Sequence, residues 1–116
     1  MQIGTDIVEV KRVEKAIQSN RFLEKYFTPQ EIALIKSKKE KAAAATAAAN
    51  FAGKEAVAKA LGTGFGVLQL TDIEILRNEL GAPYVNLYGV AKSAATEVKI
   101  SLSHSKEYAV AMVIVI

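Results

Sequence analysis

From Ala42 the chain runs AAAATAAA to Ala49, continues into FAGKEAVAKAL, and then breaks at three closely spaced glycines, Gly62, Gly64 and Gly66. Alanine has the highest helix propensity, so the tract extends a helix into the Phe51 segment. Alanine also buries little, and the tract reads as a scaffold that contributes little to a core. On that helix Glu55 and Lys59 stand four residues apart, about 6 Å along the axis and on one face. A carboxylate and an ammonium so placed can serve one ligand together. The same spacing describes an ordinary exposed Glu-to-Lys pair, which adds roughly 0.2–0.5 kcal/mol. A helix cap explains Gly62, whereas the two glycines after it call for another reason, such as close approach of backbone to an anion. Neither G-x-G-x-x-G nor GxxxxGK occurs, so a dinucleotide fold and a phosphate-loop nucleotidase are unsupported.

The segments around this helix divide the chain into two halves. Residues 2–10 read as a first strand carrying Ile3, Ile7, Val8 and Val10, interrupted by Gly4 and Asp6. Arg12 to Gln18 reads as a short amphipathic helix. Thr28-Pro29-Gln30-Glu31 announces a second helix: Thr28 caps, Pro29 takes the first position and Glu31 completes the capping box. The basic run KSKKEK from Lys36 to Lys41 reads as a solvated face, with contact to a partner as the alternative. From Val67 the period changes. Val67 to Leu70 and Ile73 to Ile75 read as strand, Asn78 to Pro83 as turn, and Tyr84 to Tyr88 as the partner of a hairpin. Val90 to Ala95 is a weak helical patch. Val98 to Ser103 alternates, with Val98, Ile100 and Leu102 on one face, and Ala109 to Ile116 is an apolar terminal strand. The expected fold is α+β, with an antiparallel sheet packed against helices.

A chain of 116 residues makes one domain, 1–116, burying about two thirds of the surface its unfolded form exposes. So short a chain has little room for a deep private pocket, which gives weight to sites shared between subunits. Apolar residues at 51% with nine Gly plus Pro argue against disorder or fibre. The absence of cysteine excludes disulfides, thiolate chemistry and cysteine-ligated zinc. The MQIGTDIVEV start has no basic-then-apolar leader, and no apolar run reaches 18 residues, so a cytoplasmic location without membrane insertion is expected. A net charge of +3 favours an acidic partner or a phosphorylated ligand without naming nucleic acid.

Several side chains carry potential chemistry. Asp6 interrupts an apolar strand and must be solvated, hydrogen bonded or coordinated. With Glu55 it would supply two hard oxygen ligands, which suits magnesium completed by water and phosphate rather than zinc. His104, the sole histidine, follows the alternating strand between Ser103 and Ser105, where all three can meet phosphate oxygens. No GxSxG precedes it, so a serine-hydrolase triad lacks support. Asp72 and Glu74 read as an exposed strand pair with structural roles.

GTD at Gly4 to Asp6, FAGKEAVAKALGTG from Phe51 to Gly64 and SLSHSKEYAVA from Ser101 to Ala111 resemble, in order, the three signatures of holo-[acyl-carrier-protein] synthases, the short phosphopantetheinyl transferases of bacterial fatty-acid synthesis. The resemblance spans essentially the whole chain. It implies a 4'-phosphopantetheinyl transferase fold and transfer of 4'-phosphopantetheine from coenzyme A to a serine of apo acyl-carrier protein. By that resemblance Asp6 and Glu55 bind Mg2+, and Glu55 and Lys59 are catalytic, with Lys59 beside the attacked phosphate. Gly62, Thr63 and Gly64 lie near the coenzyme A phosphates, and His104 with Ser105 contacts the nucleotide. Proton removal from the serine falls to Glu55 or to a metal-bound water, and the sequence does not choose between them. Arg12 and Arg21 resemble the residues that dock the acidic carrier, and the family's working unit is a homotrimer with sites between subunits. Two positions depart from the pattern. Asn50 stands where members have a basic residue, with a weaker carrier or coenzyme contact as the expected result, and Ala82 replaces a lysine in Gly-Lys-Pro. The competing reading is a binding module whose basic surface recognises an acidic protein without chemistry. A nucleic-acid binder is disfavoured, because the aromatic residues are scattered in sequence.

Overall fold

The computed structural model describes residues 1–62 and 68–116. Strand β1 (Gln2–Glu9) leads into α1 (Val10–Ala16), α2 (Asn20–Tyr26), α3 (Pro29–Lys36) and the long α4 (Glu40–Leu61). A 3-10 turn (Leu70–Asp72) then precedes β2 (Ile73–Arg77), β3 (Pro83–Leu87), α5 (Gly89–Ala94), β4 (Val98–His104) and β5 (Tyr108–Val115). All strand pairs are antiparallel. One sheet has the order β1-β5-β4, and β2 and β3 form a separate hairpin. The expected α+β architecture, with antiparallel sheet against helices, is therefore the one found. Among the described residues no helix is long and apolar enough to cross a membrane.

Helix α4 is the organising element, lying along β1 and β5. Its alanines recur every fourth residue, and Ala44, Ala48, Ala52, Ala56 and Ala60 are all buried. This corrects the reading of the alanine tract as a scaffold outside the core. Small side chains let the helix sit close to its neighbours, so the tract is core because it is small. The close approach is tightest at Gly4, where a Cβ would fall 2.0 Å from the Ala56 carbonyl oxygen.

The capping box at Thr28 forms as read, with Thr28 Oγ1 accepting from the Glu31 amide and Glu31 accepting from the Thr28 amide. Glu31 also works at long range. Its carboxylate accepts from Lys54 Nζ, Asn50 Nδ2 and the Ile75 amide, tying α3, α4 and β2 together. Lys54 and Glu31 are both fully buried, and the Lys54 ammonium lies 5.2 Å from the centre of the Phe27 ring. Asn50 is equally buried and accepts from Arg77 Nη2 at 2.8 Å, so its side chain belongs to the core network rather than to a surface that meets carrier or coenzyme.

Other elements depart from expectation. Helix α2 was not anticipated; its Ser19 cap accepts from the Phe22 amide, and Phe22, Tyr26 and Phe27 gather against Phe51. Aromatics scattered in sequence thus form one cluster. No strand occupies 68–70, because Leu68 and Leu70 reach the core through the 3-10 turn; Val67 is outside the described residues. Asp72 belongs to that turn. Glu74 is 2% exposed, not on an open strand face, and accepts from Thr28 Oγ1, Asn86 Nδ2 and the Tyr88 hydroxyl. Burial pushes its pKa up, but these three hydrogen bonds and the Lys54 charge outweigh that and hold it below the ordinary value.

Candidate active site

Asp6 on β1 and Glu55 and Lys59 on α4 come together at the margin of the helix-strand seam. Lys59 Nζ donates to Asp6 Oδ1 at 2.8 Å and to the Thr5 carbonyl at 3.3 Å. The Lys59 side chain keeps 55% of its exposure and that of Asp6 keeps 16%, so the cluster opens to solvent. The Glu55 pKa is raised, first by burial and then by the negative charge of Asp6, with Lys59 opposing both. Lys59 thus pairs with Asp6, Glu55 has no ion-pair partner among the described residues, and the surplus negative charge favours a further cation.

The sequence produces this arrangement in stages. Glu55 and Lys59 share a helix face because α4 is unbroken from Glu40 to Leu61. Asp6 points to the α4 side because it lies two residues from Gly4 on a period-2 strand. The helix ends at Gly62, which adopts φ +65° and donates its amide to the Ala58 and Lys59 carbonyls. A left-handed cap therefore accounts for Gly62. Thr63 and Gly64 lie outside the described residues.

The donor set fits a hard divalent cation. Among the described residues no group of three or more His, Cys, Asp or Glu gathers at one place, and Asp6 and Glu55 would supply two carboxylates to such an ion, with water and ligand oxygens for the remainder. Magnesium characteristically binds in that way.

His104 lies elsewhere. It stands exposed at the end of β4, beside a hollow of about 720 Å3 bordered also by Lys11, Lys41, Ala44, Ala45 and Lys106. Ser105 closes the turn into β5: its Oγ accepts from the amides of Glu107 and Tyr108, and its own amide donates to the Tyr108 carbonyl. Val10 donates to the Glu107 carbonyl and ties this turn to α1. The hollow meets α4 at Ala45, ten residues before Glu55, and on the sheet His104 lies level with Val8, two strands across from β1 and two residues along from Asp6. Lys11, Lys41 and Lys106 are the basic border residues that sequence reading did not single out. Lys41 was hidden inside a charge run, and its position by His104 depends on how α4 packs.

Arg12 on α1 and Arg21 on α2 are both exposed. Neither belongs to the two ion pairs found among the described residues. Arg12 borders a hollow of about 320 Å3 with Ile7, Val8, Glu9, Val13 and Tyr108. Ala82 is exposed at the β2-β3 tip, where Asn78 Oδ1 accepts from the Leu80 and Ala82 amides.

The first comparison gives the class: the chain matches the family model described as the 4'-phosphopantetheinyl transferase superfamily over residues 2–113. It is 51% identical over 114 residues to the holo-[acyl-carrier-protein] synthase of Clostridium beijerinckii, an alignment covering 94% of this chain and 91% of that protein. Among solved structures it is similar to the Bacillus anthracis holo-(acyl-carrier-protein) synthase in complex with CoA (3',5'-ADP), with TM-score 0.86, 36% identity and coverage of 98% and 94% of the two chains. The Helicobacter pylori synthase in complex with coenzyme A gives TM-score 0.84, 36% identity and coverage of 97% and 98%. The chain belongs to the holo-[acyl-carrier-protein] synthase family.

Proposed function

We propose that residues 1–116 form one catalytic domain that transfers the 4'-phosphopantetheine group of coenzyme A to a serine of apo acyl-carrier protein, giving holo acyl-carrier protein and adenosine 3',5'-bisphosphate. The observation that carries this reading is the meeting of Asp6, Glu55 and Lys59, brought from positions about fifty apart in sequence onto one open face. A mere binding module has no need to hold two carboxylates against each other.

In the reaction the serine hydroxyl gives up its proton to Glu55 or to water, its oxygen forms a bond to the β-phosphorus of the pyrophosphate, and the bond from that phosphorus to the bridging oxygen breaks, leaving the electron pair on the departing adenosine 3',5'-bisphosphate. Charge grows on the phosphoryl oxygens and on the departing phosphate, and fixed positive groups must meet it. Asp6 and Glu55 would hold Mg2+, which when bound supplies Lewis-acid stabilisation to the pyrophosphate. Lys59 Nζ, half exposed and anchored by Asp6 and the Thr5 carbonyl, is placed to neutralise or protonate the departing oxygen. His104 and Ser105, with Lys41 and Lys106, are assigned to the nucleotide phosphates. Gly62, Thr63 and Gly64 are assigned to the coenzyme A phosphates by the resemblance to the family.

That His104 lies two strands across the sheet from Asp6 supports a site completed by a second copy of the chain. The outer face of the three-stranded sheet supports the same reading: Ile3, Ile7 and Met112 are 68%, 61% and 56% exposed, with Val110 and Tyr108 beside them. An apolar face of this kind marks an interface, and we assign it to the homotrimer. Arg12 and Arg21, in no ion pair among the described residues, offer positive charge to an acidic carrier. The test is the intact mass of apo acyl-carrier protein after incubation with the chain, coenzyme A and magnesium, with and without chelator. A chelator-sensitive gain of one phosphopantetheine is expected; no gain on a carrier that a known transferase modifies would reject the reading.

A further inference from the structure

Gly4 was read from sequence as an interruption of β1, and Gly53 passes as one more small residue in α4. Their surroundings differ in kind. A Cβ on Gly53 would meet Ile75 Cδ1 at 2.5 Å, Ile100 Cδ1 at 3.0 Å and Leu102 Cδ2 at 3.3 Å, all ends of side chains that can turn aside. A Cβ on Gly4 would meet the Ala56 carbonyl oxygen at 2.0 Å, the Ala56 carbonyl carbon at 3.0 Å and Val113 Cγ2 at 3.0 Å. The first two belong to helix backbone and cannot rotate away. Val113 is the residue paired with Gly4 across the sheet, so the strand is held from that side as well. Ordinary contact begins near 3.4 Å, so any side chain at position 4 must part β1 from α4 by on the order of 1 Å.

The pinch sits where the carboxylates are hung. Asp6 lies two residues beyond Gly4 on the same face of β1, and Glu55 immediately precedes Ala56. Lys59 lies one turn beyond Glu55 and is bonded to both Asp6 and the Thr5 carbonyl. The separation of the two carboxylates is thus set within two residues of the closest backbone approach on each element.

We propose that Gly4 is a positioning residue for the Asp6-Glu55 pair: its missing side chain lets the Ala56 carbonyl seat against β1 and so holds the two carboxylates beside each other, where both can serve one divalent cation. This rests on the reading of Asp6 and Glu55 as metal ligands. A metal site loses affinity when its supporting shell shifts, by about 10- to 100-fold in measured cases. Gly53, also two residues from Glu55 but packed on movable side chains, supplies the internal control.

The experiment titrates Mn2+ alone into the purified full chain and reads free Mn2+ by electron paramagnetic resonance, on wild type, Asp6→Asn, Gly4→Ala and Gly53→Ala, with thermal melts alongside. Gly4→Ala is expected to bind Mn2+ about 10- to 100-fold more weakly than wild type, while Gly53→Ala loses stability but keeps its affinity. Adding Asp6→Glu to Gly4→Ala should recover part of the loss, since a longer carboxylate spans a wider gap. A folded Gly4→Ala protein with wild-type affinity overturns the proposal, as does equal weakening in Gly53→Ala. Should Gly4→Ala not fold, Ala60→Val widens the same helix row one turn on, and unchanged affinity there also overturns it. Asp6→Asn binding as wild type would instead reject the metal-site reading itself.

Discussion

Lys54 and Glu55 are consecutive on α4, yet the helix carries one into a sealed network and the other to an open face. Lys54 is fully buried against Glu31, whose carboxylate accepts from four donors on three elements. Burial raises the Glu31 pKa and lowers that of Lys54, and each is opposed by the charge of the other. In that network every charge has a partner, so it can only fix geometry. At the Asp6 cluster the half-exposed Lys59 ammonium pairs with Asp6 alone, and Glu55 accepts no hydrogen bond among the described residues. A site with charge left over can bind something; a satisfied one cannot. The two clusters lie within one turn of each other, and the first holds still the helix face that the second uses.

The strongest challenge to this contrast is to break the sealed pair. Lys54→Met leaves Glu31 buried without its counter-charge and should cost about 3–5 kcal/mol of stability. Lys59→Met, at an open pair, should cost no more than about 1 kcal/mol. Urea denaturation of both variants checks this, and equal losses would erase the distinction. Next in size, Glu55→Gln should fold normally and lower magnesium-dependent turnover by on the order of 100-fold, because it keeps the shape and removes a hard anionic ligand. Unchanged turnover at saturating magnesium would show that the open cluster is no metal site.

A pH series sharpens the comparison further. The Glu55 pKa is raised in the folded chain, so Glu55 takes up its proton at a higher pH than an ordinary glutamate does. Proton and metal compete for the same oxygens, and metal affinity should fall as pH drops through that raised value. Lys59→Met removes a charge that opposes the shift, so the midpoint of this loss should move to higher pH; an unmoved or lowered midpoint contradicts the coupling. The smallest effect is expected at Arg12, which touches neither cluster. Arg12→Ala should raise the carrier KM by a few-fold and flatten its salt dependence while leaving kcat alone. Steady-state kinetics at two ionic strengths reads both.

Much of this arrangement was legible along the chain, and the rest was hidden for identifiable reasons. The Thr28-Glu31 capping box and the Glu55-Lys59 spacing are local, and both stand as read. The same Glu31 as hub of a buried network was not legible, because Asn50, Lys54 and Ile75 arrive from 19 to 44 residues away. Glu74 looked like an exposed strand carboxylate, since nothing in ILR or TDIE tells which face of a two-stranded hairpin meets a helix N-terminus. Helix α2 has seven residues, too few to stand on propensity; the packing of Phe22 and Tyr26 on Phe51 supplies what propensity does not. For the active-site reading, Asp6 could be named as a carboxylate in need of a partner, but its partner could not be chosen.

What the sequence by itself determined is therefore the set of local commitments: a long helix through the alanine tract, its glycine end, the Thr28 cap, the strand periodicities and the placement of Glu55 and Lys59 on one face. Those depend on propensity and on hydrogen bonds that close within four residues. The tertiary structure alone decided that the alanine row is core, that Gly4 meets the Ala56 carbonyl, that Lys54 is buried while Glu55 is not, and that His104 lies two strands across the sheet from Asp6. Burial and charge balance are properties of groups brought together from distant positions, and no window of neighbouring residues contains them.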